Sequence, residues 1–216
     1  MSQKSIAALF ALIGITACGG SAAPQAPTGP TTASVAAQPA DLPSGLVRCD
    51  LSGDVNKYIS AEELTDPKTA RATRAEWDDA QKNGASGAYA SFFSDSAAQC
   101  AALKSPSTDI SATTHPLVLN FVIQFKDEKS AEKGYKSDKK IFGFSPAQLR
   151  SSPQPVLEGS KTGLTSNSIV LSTRLSDQTF YIAMWQNKTF MVFLAIVNMD
   201  QAASSKVAAS ENSRIK

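Results

Sequence analysis

The chain has 216 residues, 21 of them Lys or Arg and 19 Asp or Glu, and 42% are apolar. So even a charge balance excludes the strongly basic face that nucleic acid selects. The apolar share is that of an ordinary globular domain, and the length suits a single folded unit.

Lys4 is followed by an apolar run from Ile6 to Ile15. A charged start, a short apolar run and small residues are the layout of a secretory signal. The run is too short to cross a hydrocarbon core of ~30 Å as a helix. It ends in Ile15-Thr16-Ala17-Cys18, which resembles the lipobox of bacterial lipoproteins. The resemblance implies cleavage after residue 17 and acylation of Cys18, a palmitate-type anchor on the extracytoplasmic side of a membrane. Two or three acyl chains anchor stably, because each buried CH₂ contributes roughly 0.8 kcal/mol. Loss of Lys4 with the signal leaves 20 basic against 19 acidic residues.

Residues 19–40 are uncharged and rich in Pro, Ala, Ser and Thr. Such a segment is expected to be a disordered tether, since it offers little apolar surface to offset its ordering entropy. It would hold the domain roughly 25 Å from the membrane. The expected organisation is thus a signal over 1–17, a lipidated cysteine and tether over 18–40, and one domain over 41–216. With Cys18 set aside, Cys49 and Cys100 are expected to pair as a disulfide, as an even pair does outside the cytoplasm.

Ser60-Ala61-Glu62-Glu63 fits a capping box for one short turn. Asp66-Pro67 then predicts a helix to Asn83, stopped by Gly84, with Ala70, Thr73, Trp77 and Ala80 inward. A strand over 87–93 and a short helix over 94–103 follow. Leu119, Phe121, Ile123 and Phe125 alternate onto one apolar face of a strand over 117–125. Asp127 begins a helix to about Lys140, with Ala131 and Tyr135 inward. Residues 145–161 read as irregular and 163–175 as strand.

Residues 179–186 and 189–198 read as a hairpin turning at Asn187-Lys188. That turn pairs Trp185 with Phe190, Ala183 with Val192 and Tyr181 with Leu194. Both faces are apolar, which predicts central strands of a sheet covered on both sides. Asp200 caps a last helix to about Arg214, with Ala202, Ala203, Val207, Ala208 and Ala209 inward. The fold class is α+β, a mostly antiparallel sheet with helices packed on it. A lipoprotein with such a sheet and C-terminal helix resembles the PsbP-like group, which includes lipoproteins of actinobacteria. The resemblance spans roughly residues 117–214, rests on element order, and implies an accessory or binding role.

The chemistry-bearing motifs are incomplete. His115 has no G-x-S-x-G elbow to serve. Ser137-Asp138-Lys139-Lys140 and Lys161-Thr162-Gly163 match the S-x-x-K and K-T-G of serine β-lactamases and penicillin-binding proteins, without the S-x-N between. Asp50, Ser52, Asp54 and Asn56 alternate like calcium-loop ligands, but Val55 and Ala61 occupy the glycine and bidentate positions. Asp78 and Asp79 are adjacent, about 100° apart on a helix, a poor geometry for a catalytic pair. Lys129, Lys133, Lys136 and Lys140 form a stripe that Asp127, Glu128, Glu132 and Asp138 nearly cancel.

Tyr181, Trp185 and Phe190 are the candidate lining of a ligand pocket. No catalytic set, metal site or cofactor is expected. The expected role is a monomeric, non-catalytic domain that contacts a protein or polymer of the cell envelope. The alternative roles are a carrier or sensor of a small apolar ligand or lipid and, third, an envelope hydrolase.

Overall fold

A computed structural model describes residues 29–104, 112–137 and 139–216. The signal, Cys18 and the first part of the expected tether lie outside the described residues, as does most of the loop before Pro116.

The strands are β1 (Val47–Arg48), β2 (Gly53–Asp54), β3 (Ala85–Ser94), β4 (Leu117–Phe125), β5 (Val156–Glu158), β6 (Ser168–Leu175), β7 (Gln178–Asn187) and β8 (Phe190–Val197). Among the described residues they form one antiparallel sheet in the order β1-β3-β4-β8-β7-β6-β5, with β2 also on β3. Its helices are α1 (Thr32–Val35), α2 (Val55–Thr65), α3 (Pro67–Lys82), α4 (Ala97–Ala102), α5 (Glu128–Lys136), α6 (Pro146–Arg150) and α7 (Gln201–Arg214). The α+β class read from the sequence is the observed one.

Local chemistry places most helix starts. The carboxylate of Asp66 accepts from the Thr69 amide at the start of α3, and Pro67 occupies the first turn. Ala70, Thr73, Trp77 and Ala80 are all buried, as their spacing requires. Asn83 and Gly84 end the helix, Gly84 at φ +100°. Asp127 and Asp200 cap α5 and α7 in the same way. One start was read too late. The Asp54 carboxylate, not Ser60, caps α2, which therefore begins six residues earlier than the capping box suggests.

The sheet buries both faces. On one, Phe121, Ile123, Met184, Met191 and Phe193 pack against α2, α3, α5 and α6. On the other, Val122, Tyr181, Trp185, Val192 and Leu194 pack against α1 and α7. β8 is central and buried along its whole length. The hairpin register differs from expectation by two residues. The turn is Lys188-Thr189, with Lys188 at φ +49°, so Trp185 pairs with Val192 and Tyr181 with Ile196. A shift of two keeps every side chain on its expected face.

The N-terminal boundary differs more. The later part of the expected tether, from Thr31 to Ala40, belongs to the domain. Val35, Ala36 and Ala37 are completely buried. The Ala37 amide donates to Asn120 Oδ1 at 3.0 Å, and its carbonyl accepts from Ser91 Oγ at 3.0 Å. This strap is held by side chains from β3, β4 and α7, not by any apolar pattern of its own. The segment from 145 to 161 is also more ordered than expected: it forms α6, β5 and a 3-10 turn over Gly159–Thr162.

Candidate functional site

The disulfide between Cys49 and Cys100 is formed, with Cα atoms 5.1 Å apart. It fastens α4 to the segment beside β1. The three residues expected to line a ligand pocket do not line one together. Trp185 is fully buried and Phe190 nearly so, both in the layer beneath α7. Tyr181 reaches the edge of a groove between β6 and α7, and burial pushes its hydroxyl pKa up. Apolar hairpin residues with helices on both sides fill core, so Trp185 and Phe190 are packing, and of the three Tyr181 alone lines a groove.

A more apolar cleft lies on the opposite face, between α2, α3 and the sheet and partly open to solvent, with a volume of about 310 Å³. Its floor is Phe92, Leu119 and Phe121, and Tyr58 of α2 stands beside them. The rings of Tyr58, Phe92 and Phe121 meet pairwise at 5.4 Å. A tight turn covers one side. Ile141 and Phe144 form a reciprocal bridge, and the two residues between, Phe142 and Gly143, have φ +55° and +83°. Positive φ at both positions is that of a type I′ turn. Phe142 thereby lays its ring on Phe121 at 4.8 Å and near Trp77 at 5.9 Å.

The charged groups among the cavity's lining residues are Glu62 and Glu76. Tyr58 donates to Glu62 Oε1 at 3.1 Å, and Thr73 donates to Oε2 at 2.8 Å. The Gly143 amide donates to Glu76 Oε2 at 2.6 Å, which pins the turn to α3. Partial burial raises the Glu62 pKa; the two hydroxyl donors oppose this, and nearby Asp66 and Glu76 add to it. The capping-box pattern assigns Glu62 to a helix start, and its place on the inward face shows only with α2 beginning at Val55. From Asp54 onward, Val55, Ile59 and Glu62 share one face at helical spacing.

A second buried polar cluster lies beneath α7. Glu211 has no exposed surface. Asn120 Nδ2 donates to Glu211 Oε2 at 2.8 Å and to the Phe193 carbonyl at 3.1 Å. Glu211 Oε1 and Trp185 Nε1 have no hydrogen-bond partner. Burial drives the Glu211 pKa well above the ordinary carboxylate range, against the opposing pull of Arg214 and Asn120.

The remaining candidates serve local structure. His115 Nδ1 and Asp95 Oδ2 are 3.0 Å apart on an exposed surface. Ser137 Oγ accepts from the Lys139 amide, and Lys139 pairs with Asp79 at 2.9 Å. Asp138 lies outside the described residues. The Thr162 hydroxyl is engaged with the Gly159 carbonyl and Ser168. Ser52 bonds the Phe92 backbone while Asp54 caps α2. Lys136 pairs with Glu132 at 2.5 Å on a solvated helix face. Among the described residues, no cluster of His, Cys, Asp and Glu is arranged to hold a metal ion.

These features define a disulfide-bonded α+β domain with an aromatic cavity on one face of its sheet. No family model matches the chain, and no curated protein matches it. Among solved structures it is similar to the extracellular domain of PknH from Mycobacterium tuberculosis, at 10% identity and a TM-score of 0.32. The match covers 62% of this chain and 66% of that one, just under two thirds of its length. A likeness this remote carries no structural or functional detail across.

Proposed function

We propose that the protein is a lipid-anchored, extracytoplasmic, non-catalytic domain that binds a protein or polymer of the cell envelope. The observation that carries this reading is the Cys49–Cys100 bond. A structural disulfide belongs to an oxidising compartment, and it accounts for both cysteines left once Cys18 is given to the lipobox. Among the described residues no helix is long and apolar enough to cross a membrane; the anchor in this reading is Cys18, on the lipobox resemblance of residues 15–18. The binding role is supported by the use of His115, Ser137 and Thr162 in local contacts rather than in a reactive set. The PsbP-like resemblance points the same way.

A second reading, a carrier or sensor of a small apolar ligand, is favoured by the aromatic cavity, whose volume lies at the lower end of small-molecule sites.

Cys18→Ser tests the anchor. Acyl labelling is lost and the protein leaves the membrane fraction; unchanged fractionation would sink the lipobox assignment. Loss of a detected activity in His115→Ala or Ser137→Ala would overturn the non-catalytic assignment.

A further inference from the structure

We propose that the cavity between α2, α3 and the sheet binds a small hydrophobic amine, its apolar body among Phe92, Phe121 and Phe142 and its ammonium group at Glu62 and Glu76. This rests on the small-ligand reading above and names the ligand class.

Size sets the first bound. A buried apolar cavity of about 150 Å³ accommodates a benzene ring, so one of about 310 Å³ holds roughly twelve non-hydrogen atoms. That is a ring with a short chain and too little for a two-chain lipid. Surface chemistry sets the second. Leu119, Phe92, Phe121 and Phe142 present an apolar interior, while the polar lining side chains, Tyr58, Glu62, Thr69, Thr73 and Glu76, all come from α2 and α3. A ligand matching this division has one apolar end and one polar end.

Charge decides the polar end. The lining carries two carboxylates and, among the described residues, no Lys, Arg or His. An anionic head would meet like charge in a partly desolvated site. An ammonium head neutralises the carboxylates and can also face the rings of Tyr58, Phe92 and Phe121, a cation–π arrangement. Each carboxylate has oxygen lone pairs to spare. Glu62 accepts one bond on each oxygen, and the Gly143 amide bond falls on Glu76 Oε2. Ammonium supplies three donors to fill them.

The turn supplies independent support. Phe142 has φ +55°, a left-handed conformation that is disfavoured for a side chain with a Cβ. Such strain is retained where surrounding contacts over-determine it, commonly at ligand sites. Here the contacts are the Ile141–Phe144 bridge, the Gly143–Glu76 hydrogen bond and the ring stack on Phe121. Together they fix Phe142 as one wall of the cavity.

The test uses the full chain in lipid nanodiscs and three fluorinated probes sharing one apolar body. These are para-fluorophenylbutylamine, the corresponding alcohol and the corresponding carboxylate, followed by ¹⁹F NMR titration. The amine should bind about tenfold more tightly than the alcohol, and the carboxylate should not bind. Glu62→Gln should abolish that preference while leaving alcohol binding in place. Ala72→Trp, at an exposed lining position of α3, should block all binding; Thr69→Trp is the second blocking variant. Equal binding of amine and alcohol, absence of amine binding, or amine binding that survives both tryptophan variants overturns the proposal. The same spectra report chemical conversion of the probe. Conversion would overturn the non-catalytic reading separately, and the anchor is tested by fractionation alone.

Discussion

Arg214 closes a two-pronged ion pair on Asp41, 173 residues earlier in the chain, with both N–O distances at 2.9 Å. The same guanidinium donates to the carbonyls of Val35 and Ala36. The C-terminal end of α7 therefore fastens the N-terminal strap onto the sheet. Planar bidentate geometry of this kind is specific to arginine.

Arg214→Ala should therefore destabilise the domain by about 1.5–3 kcal/mol, the range for hydrogen bonds to a charged group. Arg214→Lys should recover only part of it, because one ammonium cannot span both carboxylate oxygens and both carbonyls. Urea unfolding measures the difference. Deleting residues 31–40 should cost at least as much. A deletion without effect would restore the tether assignment for that segment.

Glu211 should make stability fall as pH rises. Its folded pKa lies above its unfolded one because burial disfavours the charged form. Below about pH 4.3, where the unfolded carboxyl is also protonated, the group costs nothing. Above that, the unfolded chain releases its proton and the folded chain keeps it, so stability drops until pH passes the folded pKa. The slope for one group is at most about 1.4 kcal/mol per pH unit. Asp66 and Asp127 act oppositely, since amide and hydroxyl bonds lower their pKa values, and their contribution fades only as pH falls below the ordinary aspartate range. Urea midpoints between pH 4.5 and 8 (roughly the window above the unfolded carboxyl) should decline less in Glu211→Gln than in wild type. Parallel curves would show that Glu211 is not the titrating group.

The Cys49–Cys100 bond closes a loop of 51 residues. On the chain-entropy model a loop of this length contributes up to about 4 kcal/mol, and measured values commonly fall between 2 and 4. Replacing both cysteines with serine should lower stability by about that amount. Dithiothreitol should lower the thermal midpoint of the wild type and leave that of the double variant unchanged. Insensitivity of the wild type to reductant would contradict a structural role for the bond.

How much was legible in advance follows the range of the interactions. The starts of α3, α5 and α7 were readable because an aspartate caps amides two or three residues away. The strand faces of β4, β7 and β8 were readable because a pleat alternates side chains with period two. The central place of β8 followed from its two apolar faces. The hairpin register was not readable to better than two residues, because Asn187 and Lys188 both tolerate a turn while the faces are indifferent to a shift of two. The tertiary structure decided what depends on distant partners. Ala37 is core because Asn120 and Ser91 bond its backbone, and Glu211 is buried because Asn120 meets it from the sheet face beneath α7. The aromatic cavity combines Tyr58, Phe92, Phe121 and Phe142, which come from four separate elements. Legible within the sequence were the caps of α3, α5 and α7, the alternation of β4, β7 and β8, the pairing of the cysteines and the resemblance of residues 15–18 to an anchoring signal. Caps, alternation and short motifs are written within a few residues of one another. The strap, the buried carboxylate and the cavity were decided only in three dimensions, since each depends on contacts between residues tens to hundreds of positions apart.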